Sequence, residues 1–420
     1  MRPFETLIFI LPLLLLVDAY VLKGLVPLIR KQKAAIRKVL IGFYIALSLI
    51  LIALLVFLYL HYEANPADLS RYRLFLKFSA VFVAQFVFKF FFIFFELIHD
   101  IRQLIMWIRP KKKFKPPMPP EDHTSSRREF IRKTGVMMAA LPFIGVIQGI
   151  GWGRFRFTVR HTGISFPNLP ASFQGYRIVQ LSDAHLGGFY GHRDKMQEVV
   201  EIIRDIKPDM IVFTGDMVNN YAAEMHGFVE IWAAMEAPDG KFSILGNHDY
   251  GDYSEWSDPI RKEENFLSII RQQQAMGFNV LRNEHVRIEK NGEVIFLAGV
   301  ENWGLPPFKQ YGDLDLAMNG IHPEAFTILL SHNPDHWSQL VQGDKRIPLT
   351  LSGHTHGFQM GFEIGPIKFS PSQFIYKHWA GLYEKNDQYL YVNRGLGYLA
   401  FPGRVGIWPE ITLIELNRSN

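Results

Sequence analysis

Five short polar clusters hold the residues able to do chemistry. Asp183 and His185 stand in Leu181-Ser182-Asp183-Ala184-His185, and Asp216 follows in Thr214-Gly215-Asp216. Asn247 and His248 lie in Gly246-Asn247-His248-Asp249, His332 in Ser331-His332-Asn333, and His354 and His356 in Gly353-His354-Thr355-His356. Taken singly, each cluster reads as an ordinary polar turn, and Gly215 and Gly246 serve tight turns whatever the chemistry. Together they offer carboxylate, amide and imidazole donors but no thiol, because the chain has no cysteine. Such a donor set suits Mn, Fe or Zn and excludes tetrahedral sulfur sites and disulfides. Asp183, His185, Asp216, Asn247, His332, His354 and His356 are too many ligands for one ion. They fit two ions that share a carboxylate, with Asp216 as the bridge.

The elements that must position these residues are short apolar runs. Residues 176–182, 210–213, 242–245, 326–330 and 349–351 each precede one cluster and read as buried strands. Ligands of open α/β sheets bind beyond the carboxyl ends of the strands, so five clusters at strand ends are expected to converge. Between them, residues 192–206, 223–235 and 259–276 read as helices, and Asn291-Gly292 marks a hairpin. Strands alternating with helices, then hairpins, predict two sheets packed face to face with helices outside. About 260 residues is ample for one core of this kind.

The five motifs, in this order and at this spacing, resemble those of the calcineurin-like metallophosphoesterases, in a bacterial membrane-anchored branch. The resemblance covers roughly residues 155–418. It implies an αββα two-sheet sandwich. It also implies that Asp183, His185, Asp216 and His356 hold one ion, and Asp216, Asn247, His332 and His354 the other. His248 would face the substrate and act as the catalytic acid or transition-state stabiliser. Phosphate mono- or diesters would be cleaved by a hydroxide bridging the ions. A pyrophosphohydrolase acting on a nucleotide-linked lipid, or a non-catalytic membrane sensor or scaffold, are the other readings. The family often carries a second Asp that orients the catalytic His; here that position is Asn219. An amide supports an imidazolium less than a carboxylate does. Arg394, in the turn Arg394-Gly395-Leu396-Gly397, and Tyr250, Tyr253 and Trp256, in one aromatic loop, are candidate substrate contacts.

Ahead of this domain the chain is heavily apolar. Hydrophobic residues make up 48% of the whole, with 35 Phe, and they concentrate before residue 152. Residues 4–22, 39–60 and 76–98 are each near the length that crosses a bilayer, and 136–152 reads as a fourth transmembrane or signal-anchor helix. This divides the chain into a membrane region (1–109), a basic linker (110–134), the fourth helix (135–153) and the catalytic domain (154–420). Lys and Arg crowd the loops after the first and third spans, whereas the loop between the second and third is nearly neutral. Basic loops stay in the cytoplasm, which places the catalytic domain on the extracytoplasmic side of the cell membrane. The net charge of +5 comes largely from these loops and is a topology signal, not a nucleic-acid surface.

Four further features stand out. Residues 111–120 are rich in Lys and Pro and read as an extended cytoplasmic linker. Ser126-Arg127-Arg128-Glu129-Phe130 resembles a twin-arginine export signal, and equally serves to hold the loop inside. Asp18 and Lys89 fall within membrane spans, where charges are costly and usually paired; they are either a docking ion pair or part of an ion path. The insert at 357–382, with Phe358, Phe362, Phe369, Phe374, Tyr376 and Trp379, forms an apolar rim or rests on the membrane.

Overall fold

The computed structural model describes residues 3–63, 65, 68–108, 123–365 and 367–419, so the linker 111–120 lies outside the described residues. The chain divides into two units, Met1–Ala64 with Leu74–Gln148 and Asn65–Arg73 with Gly149–Asn420.

The first unit is helical. It contains α1 (Pro3–Leu25), α2 (Ala34–Glu63), α3 (Leu69–Ile108) and α4 (His123–Gly151). All four carry a stretch long and apolar enough to cross a membrane. The twin-arginine-like segment falls in the first turns of α4. Val21, Tyr44, Phe88, Phe92, Val136 and Ala139 form a shared core to which every helix contributes. Leu16, Val39 and Phe43 point outward, as lipid-facing side chains do. The Asp18 carboxylate meets the Lys89 ammonium at 2.6 Å. The Tyr44 and Ser48 hydroxyls also donate to Asp18, at 2.7 and 2.8 Å, so one carboxylate ties α1, α2 and α3 together.

The second unit is a two-sheet sandwich. Its strands are β1 (Thr158–Phe166), β2 (Tyr176–Leu181), β3 (Met210–Phe213), β4 (Lys241–Ser243), β5 (Phe278–Val280), β6 (Glu284–Lys290), β7 (Glu293–Gly299), β8 (Thr327–Leu330), β9 (Leu349–Ser352), β10 (Phe362–Ile364), β11 (Ile367–Phe369), β12 (Gly381–Lys385), β13 (Gln388–Val392) and β14 (Glu410–Arg418). Its helices are α5 (Arg193–Ile206), α6 (Val229–Ala233), α7 (Pro259–Ala275) and α8 (Leu314–Ala317). One sheet runs β1-β14-β2-β3-β4-β5 and the other β12-β13-β9-β8-β7-β6, with β10-β11 as a separate hairpin. The strands β2 to β5 are parallel, as are β7, β8, β9 and β13.

Apolar residues from both sheets fill the space between them, among them Ile178, Val212, Ile244, Leu297, Ile328, Leu351 and Ile414. Each such side chain, fully buried, contributes about 1.5–3 kcal/mol. A second core of Leu329, Trp337, Val341 and Val392 covers the other face of the β8-β9 sheet. Helix α5 buries Met196, Val199 and Ile203, a helical period, and ends at Lys207 in a left-handed conformation. Helix α7 starts on Asp258, whose carboxylate accepts from the Ile260 amide, with Pro259 at its first position.

The helix expected over 223–235 is broken. A 3₁₀ turn at Ala222–Met225 gives way to the short α6, because Gly227 between them takes φ +79°. The Asn291-Gly292 hairpin forms as expected, with both residues at positive φ.

The Asp18–Lys89 contact makes a measurable prediction. Asp18→Asn or Lys89→Met alone leaves a buried charge unpaired and should cost about 3–5 kcal/mol. The double substitution should recover most of that loss in a thermal melt of the detergent-solubilised protein. Additive losses would show that the two charges do not stabilise one another.

Candidate metal centre

The five clusters sit just beyond the carboxyl ends of β2, β3, β4, β8 and β9, three from one sheet and two from the other. Ligand atoms of Asp183, His185, Asp216 and His356 all lie within 4.8 Å of one another, and so do those of Asp216, His332 and His354. Asp216 belongs to both groups. Asn247 joins the second through its side-chain oxygen, 3.1 Å from His332 Nε2. Apart from the half-buried His354, these residues are buried.

The backbone reaches this arrangement at a cost. Asp183, His185, Asp216, His354 and His356 all have positive φ, between 44° and 74°. Side-chain-bearing residues rarely adopt that region, and clusters of them mark functional sites. The glycines of the motifs make room for it. A Cβ on Gly353 would collide with the Ser182 hydroxyl and the Asp183 carboxylate, and one on Gly246 with Asp216.

Hydrogen bonds then orient several of these candidate ligands. The His332 Nδ1–H donates to the Thr214 carbonyl at 2.7 Å, which turns the Nε2 lone pair inward. The Asp183 carboxylate accepts from the His354 amide, and Asp216 Oδ1 from the His248 amide at 2.9 Å. Asn247 donates its amide to the Tyr253 hydroxyl, leaving its oxygen for the site. Three residues outside the five expected ligand clusters' donor list turn out to hold the frame. Asp249 accepts the backbone N–H groups of Asp216, Met217, Val218 and Gly246. Glu224 accepts those of Asn219, Asn220 and Tyr221. Arg404, fully buried, donates to the carbonyls of Arg394, Gly397 and His356. Their partners are distant or appear only once the loops fold, so nothing in the motifs announces them.

The donor set fits a cation. His185 Nε2 and His356 Nε2 face one another at 3.1 Å, and His332 Nε2 faces the Asp216 carboxylate, the Asn247 oxygen and His354 Nδ1 at 3.1–3.2 Å. These are nearly all acceptors. Burial pushes the pKa of His185 and of His354 down to about 3, so both stay neutral with lone pairs free. Burial pulls His332 down as well, but the adjacent Asp216 carboxylate outweighs it and holds the imidazole up at about 9. That proton is what an incoming cation must displace.

Three expectations need correction. The Nδ1–H of His248 donates to the backbone carbonyl of Asn219, at 2.7 Å, and the Asn219 side chain turns away to Glu224. The identity of residue 219 therefore does not set how His248 is oriented. Tyr250 packs on Phe266 and Tyr311 in a core cluster, with its hydroxyl toward Glu301, so it does not line the site. Its loop neighbour Tyr253 does, with its ring 4.6 Å from that of His248. Arg394 is not free for phosphate. It is buried, with Nη1 on Glu410 at 2.5 Å and Nη2 on Glu363 at 2.6 Å. Its turn instead backs the Asp183 loop, through the Leu396 and Gly397 amides on the carbonyls of Ser182 and Asp183.

Removing the Asp249 clamp should be costly. Asp249→Ala strands four buried N–H donors, each worth about 1–3 kcal/mol when left unmade, and should lower the melting temperature by many degrees. An unchanged melting temperature would mean that the loops hold their left-handed conformations without it.

Known proteins share these features. Residues 176–358 match the family model of the calcineurin-like phosphoesterases, and residues 1–154 match a transmembrane domain of calcineurin-like phosphoesterases. The chain is 34% identical over 308 residues to the metallophosphoesterase YkuE of Bacillus subtilis, which takes in 70% of this chain and 99% of YkuE. It is 31% identical over 265 residues to a transmembrane protein with metallophosphoesterase domain of Danio rerio, across 61% of this chain and 56% of that protein. It is 27% identical over 296 residues to the phosphodiesterase YaeI of Escherichia coli, across 69% of this chain and 99% of YaeI. The chain thus spans nearly all of the two bacterial relatives but little more than half of the fish protein. By its motifs, its fold and these relatives, the chain belongs to the calcineurin-like metallophosphoesterases, as a multi-pass membrane protein and a metal-dependent phosphoester hydrolase.

Proposed function

We propose that the site holds two divalent or trivalent ions, from among Mn, Fe and Zn, and hydrolyses phosphate mono- or diesters. Asp183, His185, Asp216 and His356 would hold one ion, and Asp216, Asn247, His332 and His354 the other. The observation that carries this reading is the pair of ligand groups sharing Asp216. When bound, such ions supply Lewis acidity, activating water and neutralising charge on the phosphoryl oxygens. The protein's own part is positioning. His248 stands beside His185 with its ring edge-on, at 5.1 Å between centroids. Its Nδ1 is engaged by Asn219, so Nε2 is the nitrogen left to meet a substrate. From there it protonates the leaving oxygen or stabilises the developing charge. The name of the Escherichia coli relative makes a diester the first substrate to try.

The test joins metal content to turnover. Asp216→Asn should lose both ions by elemental analysis, together with activity. His248→Ala should keep the ions and slow alkyl esters by about 10²–10⁴-fold, while nitrophenyl esters, whose leaving group needs no proton, slow far less. Two ions retained in Asp216→Asn would refute the bridge. Equal slowing of both ester classes would make His248 an electrostatic or positioning residue.

The loop charges support a cell-membrane location with the catalytic domain outside the cytoplasm. The arginines in the first turns of α4 would then serve either the twin-arginine export machinery or retention of the loop. A reporter active only in the cytoplasm should be silent when fused after Asn420 and active when fused near Pro117; the reverse pattern would overturn this orientation.

A further inference from the structure

The loop that leaves the metal site after His356 runs out through β10 and β11 and returns at Tyr376, whose hydroxyl lies 2.9 Å from His354 Nε2. Everything between belongs to one excursion, and its hairpin turns apolar side chains outward.

Strand register makes this explicit. Phe362 pairs with Phe369 and Ile364 with Ile367, which puts all four on one face of the hairpin. That face is exposed, with Ile364 at 71%. Phe369 meets Phe374 edge-on, and Phe374 and Ile375 extend the same patch at 78% and 65% exposure. The polar residues of the hairpin lie on its opposite face. Glu363 turns inward, to the buried Arg394 and to Arg160, and the exposed Lys368 donates its ammonium to the Ala380 carbonyl at 2.6 Å. A one-residue slip would exchange the two faces, and these inward ion pairs fix the register against it. Soluble proteins rarely hold a contiguous apolar patch outward in this way.

We propose that this hairpin, with Phe374 and Ile375, rests in the surface of a lipid bilayer and presents the metal site to the phosphate headgroups of membrane lipids. The bilayer is the occupant because the same chain carries four membrane-crossing helices, so lipid is always present at high local concentration. The patch also has the chemistry of an interfacial element: bulky Phe and Ile, with the exposed Lys377 at its margin to meet anionic headgroups. The substrate part of the proposal rests on the phosphoesterase reading above. The reaction is hydrolysis of the lipid ester: the water oxygen goes to phosphorus, the P–O bond to the lipid breaks, and the proton goes to the lipid alcohol.

The lack of cysteine makes the test clean. Full-length Ile364→Cys, labelled with a nitrobenzoxadiazole dye in phosphatidylcholine vesicles, should be quenched by doxyl-labelled lipid and shielded from aqueous iodide. Glu289→Cys, on the exposed edge strand β6, should behave in the opposite way. Iodide quenching at both positions alike would overturn the proposal. So would disulfide crosslinking of Ile364→Cys between copies without lipid quenching, which would assign the face to a second copy. In the same vesicles, the double variant Ile364→Glu, Ile367→Glu should lose about tenfold or more of its hydrolysis of phosphatidate while nitrophenyl phosphate turnover stays unchanged. Equal rates for variant and wild type on both substrates would refute lipid delivery by the hairpin. A wild type that hydrolyses neither of these monoesters would refute phosphatidate as the substrate, and one that also leaves bis-nitrophenyl phosphate intact would refute the phosphoesterase reading; the quenching result would still decide where the hairpin lies.

Discussion

Too many buried acceptors for the available hydrogens is the constraint on which this catalytic domain depends. Around Asp216, two carboxylates, an amide oxygen and the inward nitrogens of several imidazoles meet within a few ångströms. Burial makes unpaired polar groups expensive. The fold therefore has to hold the loops by force, and it does so with backbone amides. Asp249 gathers the N–H groups beneath Asp216, Glu224 those after Val218, and Arg404 the carbonyls behind His356. Five candidate ligand residues keep left-handed backbone beside these clamps.

The strands were legible because each is a short apolar run that stops at a polar cluster, and two sheets followed from their alternation with helices. The site followed because residue type and order narrow sharply when Asp, His and Asn recur at strand ends. Orientation was not legible. Tyr250 and Arg394 stand as near the motifs in sequence as Tyr253 does, yet they point into a core and into an ion-pair network. Arg394 is claimed by Glu363, 31 residues away, and Glu410, 16 residues away, and no local pattern shows that. Asn219 failed for a simpler reason: the carbonyl, which every residue carries, does the work that the side chain was expected to do. The broken helix after Ala222 turned on one glycine, whose positive φ helix periodicity does not register.

The insert between His356 and Tyr376 shows how strand alternation carries information in both directions. In a sheet that covers a core, apolar residues face in and polar ones out. In β10 and β11 the order is inverted, and Glu363 reaches inward to pair with the buried Arg394. Arg394 is thus not idle in the site. It anchors the hairpin on one side and carries the turn that backs Asp183 on the other, so the apolar excursion and the metal loop share one support.

Two buried charge clusters in this chain look alike and mean different things, and counting hydrogens separates them. In the membrane unit the Asp18 carboxylate receives the Lys89 ammonium and the hydroxyls of Tyr44 and Ser48. Donors match acceptors, the charge is neutralised, and the network is closed; its effect is to dock three helices. In the catalytic unit Asp216 has His332 as its charged partner, while Asp183, Asn247, His354 and His356 bring further acceptors to the same space. That cluster sets two carboxylates and several neutral lone pairs against one charged imidazole. A buried ion pair needs only its partner, but a surplus of converging lone pairs needs a cation, and this asymmetry is the physical reason to place the chemistry in one cluster and the architecture in the other.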